Sequence, residues 1–137
     1  MKFHRLVEYF ERLEATTKRL EMFDILSELY REASAKDIDK IIYLSQGQLL
    51  PPFKGIEIGM SEKLLIRAIS DAANTLTKKV EEAFKHTGDL GRTAENLVKW
   101  KGHQLSVENV YDEFMEIALT SGAGSVEKKI GFLSNLL

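Results

Sequence analysis

Two short segments of the sequence combine small residues with adjacent cations, an order typical of phosphate binding. In the first, Thr16 and Thr17 precede Lys18 and Arg19 at a predicted helix start. The second is a glycine-rich turn that leads into another predicted helix with two lysines in its first turn. Its candidate anion-binding residues are Gly122, Gly124, Ser125, Lys128 and Lys129. Glycines permit close backbone approach, and the unpaired amides of a helix N-terminus favour an anion.

A plainer interpretation stays open for both segments. Residues 16–19 are then a helix cap with surface charges, and the glycine-rich turn joins two helices whose lysines are solvated. Cations in the first turn of a helix oppose its dipole, which costs stability unless a phosphate lies nearby. The residue types alone favour the plainer interpretation. Arg19 is the best single candidate contact, because a guanidinium forks onto phosphate oxygens.

The residue patterns of common catalytic centres are missing. The sequence has no cysteine, and His4, His86 and His103 lie on separate predicted elements without the spacing of metal ligands. It contains no Gly-x-x-x-x-Gly-Lys-Ser/Thr loop, no Gly-x-Ser-x-Gly elbow and no Lys-x-Asp-Gly motif. We therefore predict no metal site, no cofactor and no catalytic residue in this chain, which should be inactive alone.

Size and composition predict one soluble domain. The chain has 137 residues, 44% of them hydrophobic and 29% charged, and a formal net charge of −2. Any contact with a polyanion must therefore come from a local face, not from the overall field. No apolar run approaches the ~20 residues that cross a bilayer, and the first residues lack a secretory signal. We expect a cytoplasmic protein.

Apolar residues recur at intervals of three and four almost throughout, so about eight helices are predicted. The second helix should run from Lys18 to about Arg31 and bury Leu20, Phe23, Leu26, Leu29 and Tyr30. The expected N-caps of later helices are Ser34 (with Asp37 in the first turn), Ser61, Thr77, Asp89, Ser106 and Ser125. The expected loops are residues 48–59, which contain Pro51-Pro52, and residues 100–104. Phe53 and Trp100, in these loops, should cover the edge of the core.

The last predicted helix is strongly apolar and the sequence stops without a polar cap. Its apolar residues are Ile130, Phe132, Leu133, Leu136 and Leu137. We expect the sequence to be truncated, with this face partly exposed and available for self-association.

Four stretches together resemble a known family. The first two are residues 13–20 (LEATTKRL) and Pro51-Pro52 with residues 55–68 (GIEIGMSEKLLIRA). The other two are residues 87–91 (TGDLG) with Ala94 and Glu95, and residues 119–125 (LTSGAGS) with Lys128 and Lys129. Their order and spacing resemble the N-terminal DNA-binding domain of archaeal and eukaryotic ATP-dependent DNA ligases. Ser61 departs from the archaeal pattern, which usually has glycine there, but serine also caps a helix.

The resemblance implies an all-α, irregular helical bundle that forms the N-terminal half of a ligase DNA-binding domain, over residues 1–137. It implies a partner, nicked duplex DNA, gripped across the minor groove without sequence specificity. It also implies a full-length enzyme that uses ATP and Mg²⁺ to seal nicks in replication, recombination and repair, with its catalytic lysine in a later domain. The implied DNA contacts are Thr17, Lys18, Arg19, Gly122, Gly124, Ser125, Lys128 and Lys129.

Other charged or glycine-containing stretches have plainer roles. Gly88 and Asp89 suit a helix C-cap and the next N-cap, and Lys63 and Arg67 suit a solvated stripe. The alternative function is a helical protein-interaction module without a DNA role. The near-neutral charge and the apolar last helix would equally allow it.

Overall fold

The computed structural model describes residues 1–99 and 104–137, and in these ranges all regular secondary structure is helical. The helices are α1 (Phe3–Glu14), α2 (Arg19–Glu32), α3 (Ile38–Ser45), α4 (Glu62–Ala72), α5 (Thr77–Thr87), α6 (Leu90–Leu97), α7 (Val107–Leu119) and α8 (Ser125–Leu136), with a 3-10 turn at Pro52–Lys54. The predicted all-α fold of about eight helices is confirmed. Within the described ranges, no helix is long and apolar enough to span a membrane. Of the predicted loop at residues 100–104, all but Gln104 lies outside the described residues.

The helices group into two compact units, a division that the sequence did not indicate. The first unit comprises Met1–Glu57 and Gln104–Phe114. The second comprises Ile58–His103, of which residues 100–103 are not described, and Met115–Leu137. The chain passes from the first unit to the second within α7.

The core of the first unit lies between α1, α2, α3 and the start of α7. Its buried side chains are Leu6, Tyr9, Ile25, Leu29, Ile41 and Val107. The amide of Phe3 donates to the carbonyl of Leu105 at 2.8 Å, and the amide of Val107 donates to the carbonyl of Met1 at 2.9 Å. These two bonds tie the start of the chain to the segment that precedes α7.

The predicted burial of Leu20 and Phe23 is wrong. Leu20 is 76% exposed and Phe23 is 61% exposed. The predicted burial of Leu29 is confirmed, Leu26 and Tyr30 are half-buried, and Ile25 is buried as well. α2 thus carries two apolar stripes, and periodicity alone did not show which one packs on α1. The expected core-edge position of Phe53 is also wrong, because this side chain is 82% exposed.

The second unit is built on α4, which packs against α5, α6 and α8. Its buried apolar cluster contains Ile66, Ile69, Val80 and Ala94. The apolar last helix also packs here: Ile130 is buried, while Phe132, Leu133 and Leu136 are half-buried. The expected exposed apolar face of α8 is thus reduced to Val126 and Leu137, and self-association through it has no support.

The predicted helix caps are confirmed at three positions. Ser61 accepts from the amide of Leu64 at 3.4 Å, Asp89 from that of Arg92 at 2.8 Å, and Ser106 from that of Asn109 at 3.0 Å.

Two other expected caps are wrong, and a third, Ser34, caps an earlier turn than expected. Thr77 and Ser125 are the first residues of α5 and α8, and the N-cap positions belong to Leu76 and Gly124. Ser34 makes the expected capping bond by accepting from the amide of Asp37 at 3.2 Å, but it caps the turn that precedes α3, whose N-cap position is Asp37. The Asp37 carboxylate instead pairs with the N-terminal ammonium of Met1, which lowers the pKa of Asp37.

Candidate nucleic-acid interface

Residues 16–19, which we call the hydroxyl segment, connect α1 to α2 and belong to the first unit. The Thr16 hydroxyl donates to the Glu21 carboxylate and accepts from the amide of Lys18 at 3.2 Å. The Lys18 ammonium also pairs with Glu21, at 2.9 Å. Both bonds lower the pKa of Glu21, and the bond from Thr16 has the larger effect. The charge of Lys18 is therefore partly compensated within its own helix turn.

Arg19 is the cation of the hydroxyl segment that remains available. It is the first residue of α2, and its side chain is exposed. Within the described ranges it forms no ion pair or side-chain hydrogen bond, in contrast to Lys18. Thr17 is exposed beside it. An anion can therefore approach Arg19 without displacing a carboxylate.

Residues 121–125, which we call the glycine turn, connect α7 to α8 in the second unit. Gly122 has φ +88° and Gly124 has φ +75°, left-handed conformations that favour glycine. Residues 121–124 are exposed, and Gly124 occupies the N-cap of α8 without a side-chain cap. The amide of Ser125 donates to the carbonyl of Gly122 at 3.2 Å, whereas the next amides of α8, as at any helix start, lack intrahelical acceptors and lie at an exposed turn. This arrangement suits an oxyanion.

The two predicted lysines of α8 have different environments. The Lys129 ammonium donates to the carbonyl oxygens of Ile58 at 3.2 Å and Gly59 at 3.5 Å, so it ties α8 to the segment before α4. Lys128 is exposed and forms no such bond with any residue in the described ranges. The structure therefore favours Lys128 over Lys129 as a contact for an external anion.

An acid also lies in the first turn of α8. The Glu127 carboxylate accepts from Arg67 of α4 at 2.9 and 3.1 Å, a pair that the sequence did not indicate. Arg67 is thus engaged within the unit, which agrees with its expected role outside the interface.

Residues 87–91 have the structural role that was expected. Gly88 ends α5 with φ +68°, and Asp89 caps α6. The Thr93 hydroxyl is buried between the hydroxyl of Thr87 at 2.7 Å and the carbonyl of Asp89 at 2.8 Å. These bonds fix the corner between α5 and α6.

Sequence reasoning missed a polar cluster between α1 and α2, which we call the α1–α2 clasp: Arg5, Tyr9 and Glu32. Arg5 forms two 2.9 Å hydrogen bonds with Glu32 and lies 4.8 Å from the centroid of the Tyr9 ring. The Tyr9 hydroxyl donates to the same carboxylate. Together these bonds lower the pKa of Glu32 to about 2, and the bond from Arg5 contributes most. The spacing of four residues between Arg5 and Tyr9 could have predicted that the two side chains meet on one face of α1.

The family assignment rests on comparison with known proteins. A family model described as "DNA ligase N terminus" matches residues 2–137. The chain belongs to this family. It is 42% identical to a probable DNA ligase of Dictyoglomus thermophilum, 41% to a DNA ligase of Cenarchaeum symbiosum and 42% to a DNA ligase of Sulfurisphaera tokodaii. Each match covers 100% of this chain but only 24 or 25% of the relative, so the chain spans about a quarter of their length.

In this DNA ligase N-terminal chain, the stretches that carried the resemblance lie at connections between helices. They occupy the α1–α2 connection, the loop that leads into α4, the α5–α6 corner and the glycine turn. Two of them, the hydroxyl segment and the glycine turn, contain six of the eight predicted DNA contacts, and the other two, Lys128 and Lys129, follow in α8.

Proposed function

We propose that this chain binds nicked duplex DNA without sequence preference, as part of an ATP-dependent DNA ligase. The observation that carries the proposal is the match to the DNA ligase N terminus over residues 2–137. Curated relatives that match the whole chain are themselves named DNA ligases.

The proposed contribution of this chain is binding, while the remaining domains supply the chemistry. In the proposed enzyme, ATP adenylates a lysine with release of pyrophosphate, and AMP passes from the lysine to the 5′-phosphate. The 3′-hydroxyl then attacks that phosphate and releases AMP, and Mg²⁺ would be required. This sequence has no Lys-x-Asp-Gly motif. The described residues contain no group of three His, Asp or Glu side chains placed to hold a metal ion. The chain therefore does not fit ATP or Mg²⁺, and we assign both to the rest of the enzyme.

The proposed phosphate contacts are Arg19, the amides of the glycine turn and Lys128. The guanidinium can fork onto two phosphate oxygens, and the amides can approach a phosphate closely because glycine has no side chain. Thr17 and Ser125 add hydroxyl donors. Phosphate contacts carry no base information, which is why the proposed binding is independent of sequence.

A salt titration tests the proposal. The chain is mixed with a labelled duplex that carries one nick, and the dissociation constant is measured at several salt concentrations. We expect dissociation constants in the non-specific range of ~10⁻⁴–10⁻⁶ M. The logarithm of the affinity should fall linearly with the logarithm of the salt concentration. Scrambling the base sequence should leave the curve unchanged. The proposal would be refuted if the chain does not bind at low salt, or if its dissociation constant does not change with salt concentration.

The second candidate function is a protein-interaction module, and the exposed Phe53 favours it. This side chain stands in the 3-10 turn Pro52–Lys54, and the Tyr111 hydroxyl anchors the loop by donating to the carbonyl of Leu49. An exposed aromatic side chain suits a contact with another protein, because aromatic residues are enriched at protein interfaces. The same titration separates the candidates, because this one predicts no salt-dependent binding to duplex DNA.

A further inference from the structure

The first turns of α2 expose two large apolar side chains directly after the hydroxyl segment. Leu20 is 76% exposed and Phe23 is 61% exposed. Both follow Arg19 within one helical turn. Exposed apolar groups beside a free cation call for an explanation, because water solvates them poorly.

Helix geometry places these residues on one face with Arg19. At about 100° per residue, Phe23 lies roughly 40° around the helix from Arg19, and Leu20 roughly 100° from it in the same direction. Ser27 falls between Phe23 and Leu20 by the same geometry. We call these four exposed residues the Arg19 face: Arg19, Leu20, Phe23 and Ser27.

The acids of α2 avoid the Arg19 face. Glu21, Asp24, Glu28 and Glu32 all lie in another arc, roughly 140–220° from Arg19. Three of them are paired: Glu32 with Arg5, Glu28 with Arg12 at 2.8 Å, and Glu21 with Lys18. The α1 arginines thus neutralise the acidic side of α2, and the Arg19 face combines a cation, a hydroxyl and apolar groups without a carboxylate.

We propose that the Arg19 face lies against duplex DNA, with Leu20 and Phe23 packed on the sugar edges of the minor groove. This inference rests on the proposed function and adds to it an apolar contact. The charge pattern favours DNA as the occupant, because a polyanion tolerates a cation and hydroxyls but not a carboxylate. Minor-groove proteins commonly combine arginine with apolar wedges such as Phe and Leu. The apolar contact supplies affinity that salt does not screen.

The test compares Leu20→Ser and Phe23→Ser with the parent in the salt titration with nicked duplex. Each substitution should weaken binding about tenfold at every salt concentration, because it removes apolar contact area. The slope of log affinity against log salt concentration should not change, because an apolar side chain displaces no counterion. Arg19→Ala should instead lower that slope by about one unit.

Two further variants serve as controls. Leu76→Ser removes an equally exposed leucine, 77% exposed, from the second unit and should bind like the parent. Phe23→Leu keeps an apolar side chain and should retain most of the affinity. Circular dichroism and thermal melting establish that each variant is folded.

The outcomes separate this inference from the proposed function. Folded Leu20→Ser and Phe23→Ser variants that bind as well as a DNA-binding parent would overturn the inference alone. The same holds if they bind normally but abolish a concentration-dependent dimer in sedimentation, which would assign the face to a second copy. A parent that binds no duplex DNA would overturn both.

Discussion

At the scale of single residues, neighbouring cations of the same segment have different roles. Lys18 is paired with Glu21 and Lys129 with backbone carbonyls, whereas Arg19 and Lys128 are exposed and form no such bond within the described residues. A lysine that already donates to carbonyls must lose those bonds before it can neutralise a phosphate. The number of lysines near a turn therefore overstates the number of cations available to DNA.

The adjacent lysines of α8 allow a matched pair of substitutions. Lys128→Ala should lower the slope of log affinity against log salt by about one unit, because one displaced counterion is lost. Its stability should stay within about 0.5 kcal/mol of the parent. Lys129→Ala should keep the slope but lose about 1 kcal/mol of stability with its carbonyl bonds. Salt titrations and chemical denaturation measure the two effects, and equal slopes for both variants would contradict the assignment.

The Glu32 carboxylate of the α1–α2 clasp gives a prediction for pH. Its pKa is lowered to about 2 in the folded state, below the ordinary 4.5. Its stabilising contribution is therefore fully present above about pH 4.5 and is lost as the pH falls towards 2. We expect Glu32→Gln to lower the melting temperature at pH 6, with a difference from the parent that shrinks steadily towards pH 3. A difference that is constant with pH would mean that the charge of Glu32 is unimportant.

At the scale of elements, the proposed DNA contacts lie in two connections between helices and in the first turns of the helices that follow them, α2 and α8. The glycine turn has two left-handed glycines and an uncapped helix start. The hydroxyl segment ends at the first residue of α2, which bears the free guanidinium. The helices supply the rigid frame, because their buried faces pack within each unit and hold these turns in place.

Valine in the glycine turn should impair both stability and DNA binding. A Cβ at Gly122 or Gly124 would meet no atom within 4 Å, so the cost arises from the positive φ alone. We expect Gly122→Val and Gly124→Val to lose about 1–2 kcal/mol of stability. Binding should also weaken, and part of this loss should persist at high salt, because close approach is blocked while charge is unchanged.

Gly131 of α8 supplies the control for the glycine turn. It is a helical glycine with no neighbouring atom within 4 Å of an added Cβ. Gly131→Ala should therefore stabilise the chain by about 0.5–1 kcal/mol and leave DNA binding unchanged. Glycine-turn variants that bind DNA as well as this control would show that the turn does not contact phosphate.

At the scale of the whole molecule, the role proposed for this chain is binding, and the lysine motif of nucleotidyl transfer is missing from its sequence. Its sequence contains no Lys-x-Asp-Gly motif, and the chain spans about a quarter of the length of its ligase relatives. Its net charge of −2 gives no general attraction to a polyanion. The proposed binding must therefore depend on a few local contacts.

We expect the chain to show no self-adenylation and no nick sealing when it is incubated with labelled ATP and Mg²⁺. The physical reason is the missing nucleophilic lysine motif. Denaturing gels that resolve protein-bound label and ligated DNA provide the measurement, with a complete ligase as the positive control. A covalent AMP adduct on this polypeptide would contradict the prediction.

The sequence by itself determined the helical class, most helix limits and the family. Spacings of three and four residues specify helices locally, and Ser61, Asp89 and Ser106 cap helices through bonds that span only three residues. The glycine turn was likewise predictable, because few residues other than glycine adopt its backbone angles. Such features depend on neighbours within one or two helical turns.

Only the tertiary structure decided which apolar stripe of α2 is buried and which cations are free. Ile25 and Leu29 are buried while Leu20 and Phe23 are exposed, a choice made by the helices packed around α2. Lys129 meets carbonyls 70 and 71 residues away, and Arg67 meets Glu127 across 60 residues. Contacts at such separations leave no periodic pattern in the sequence, because they depend on how whole helices pack.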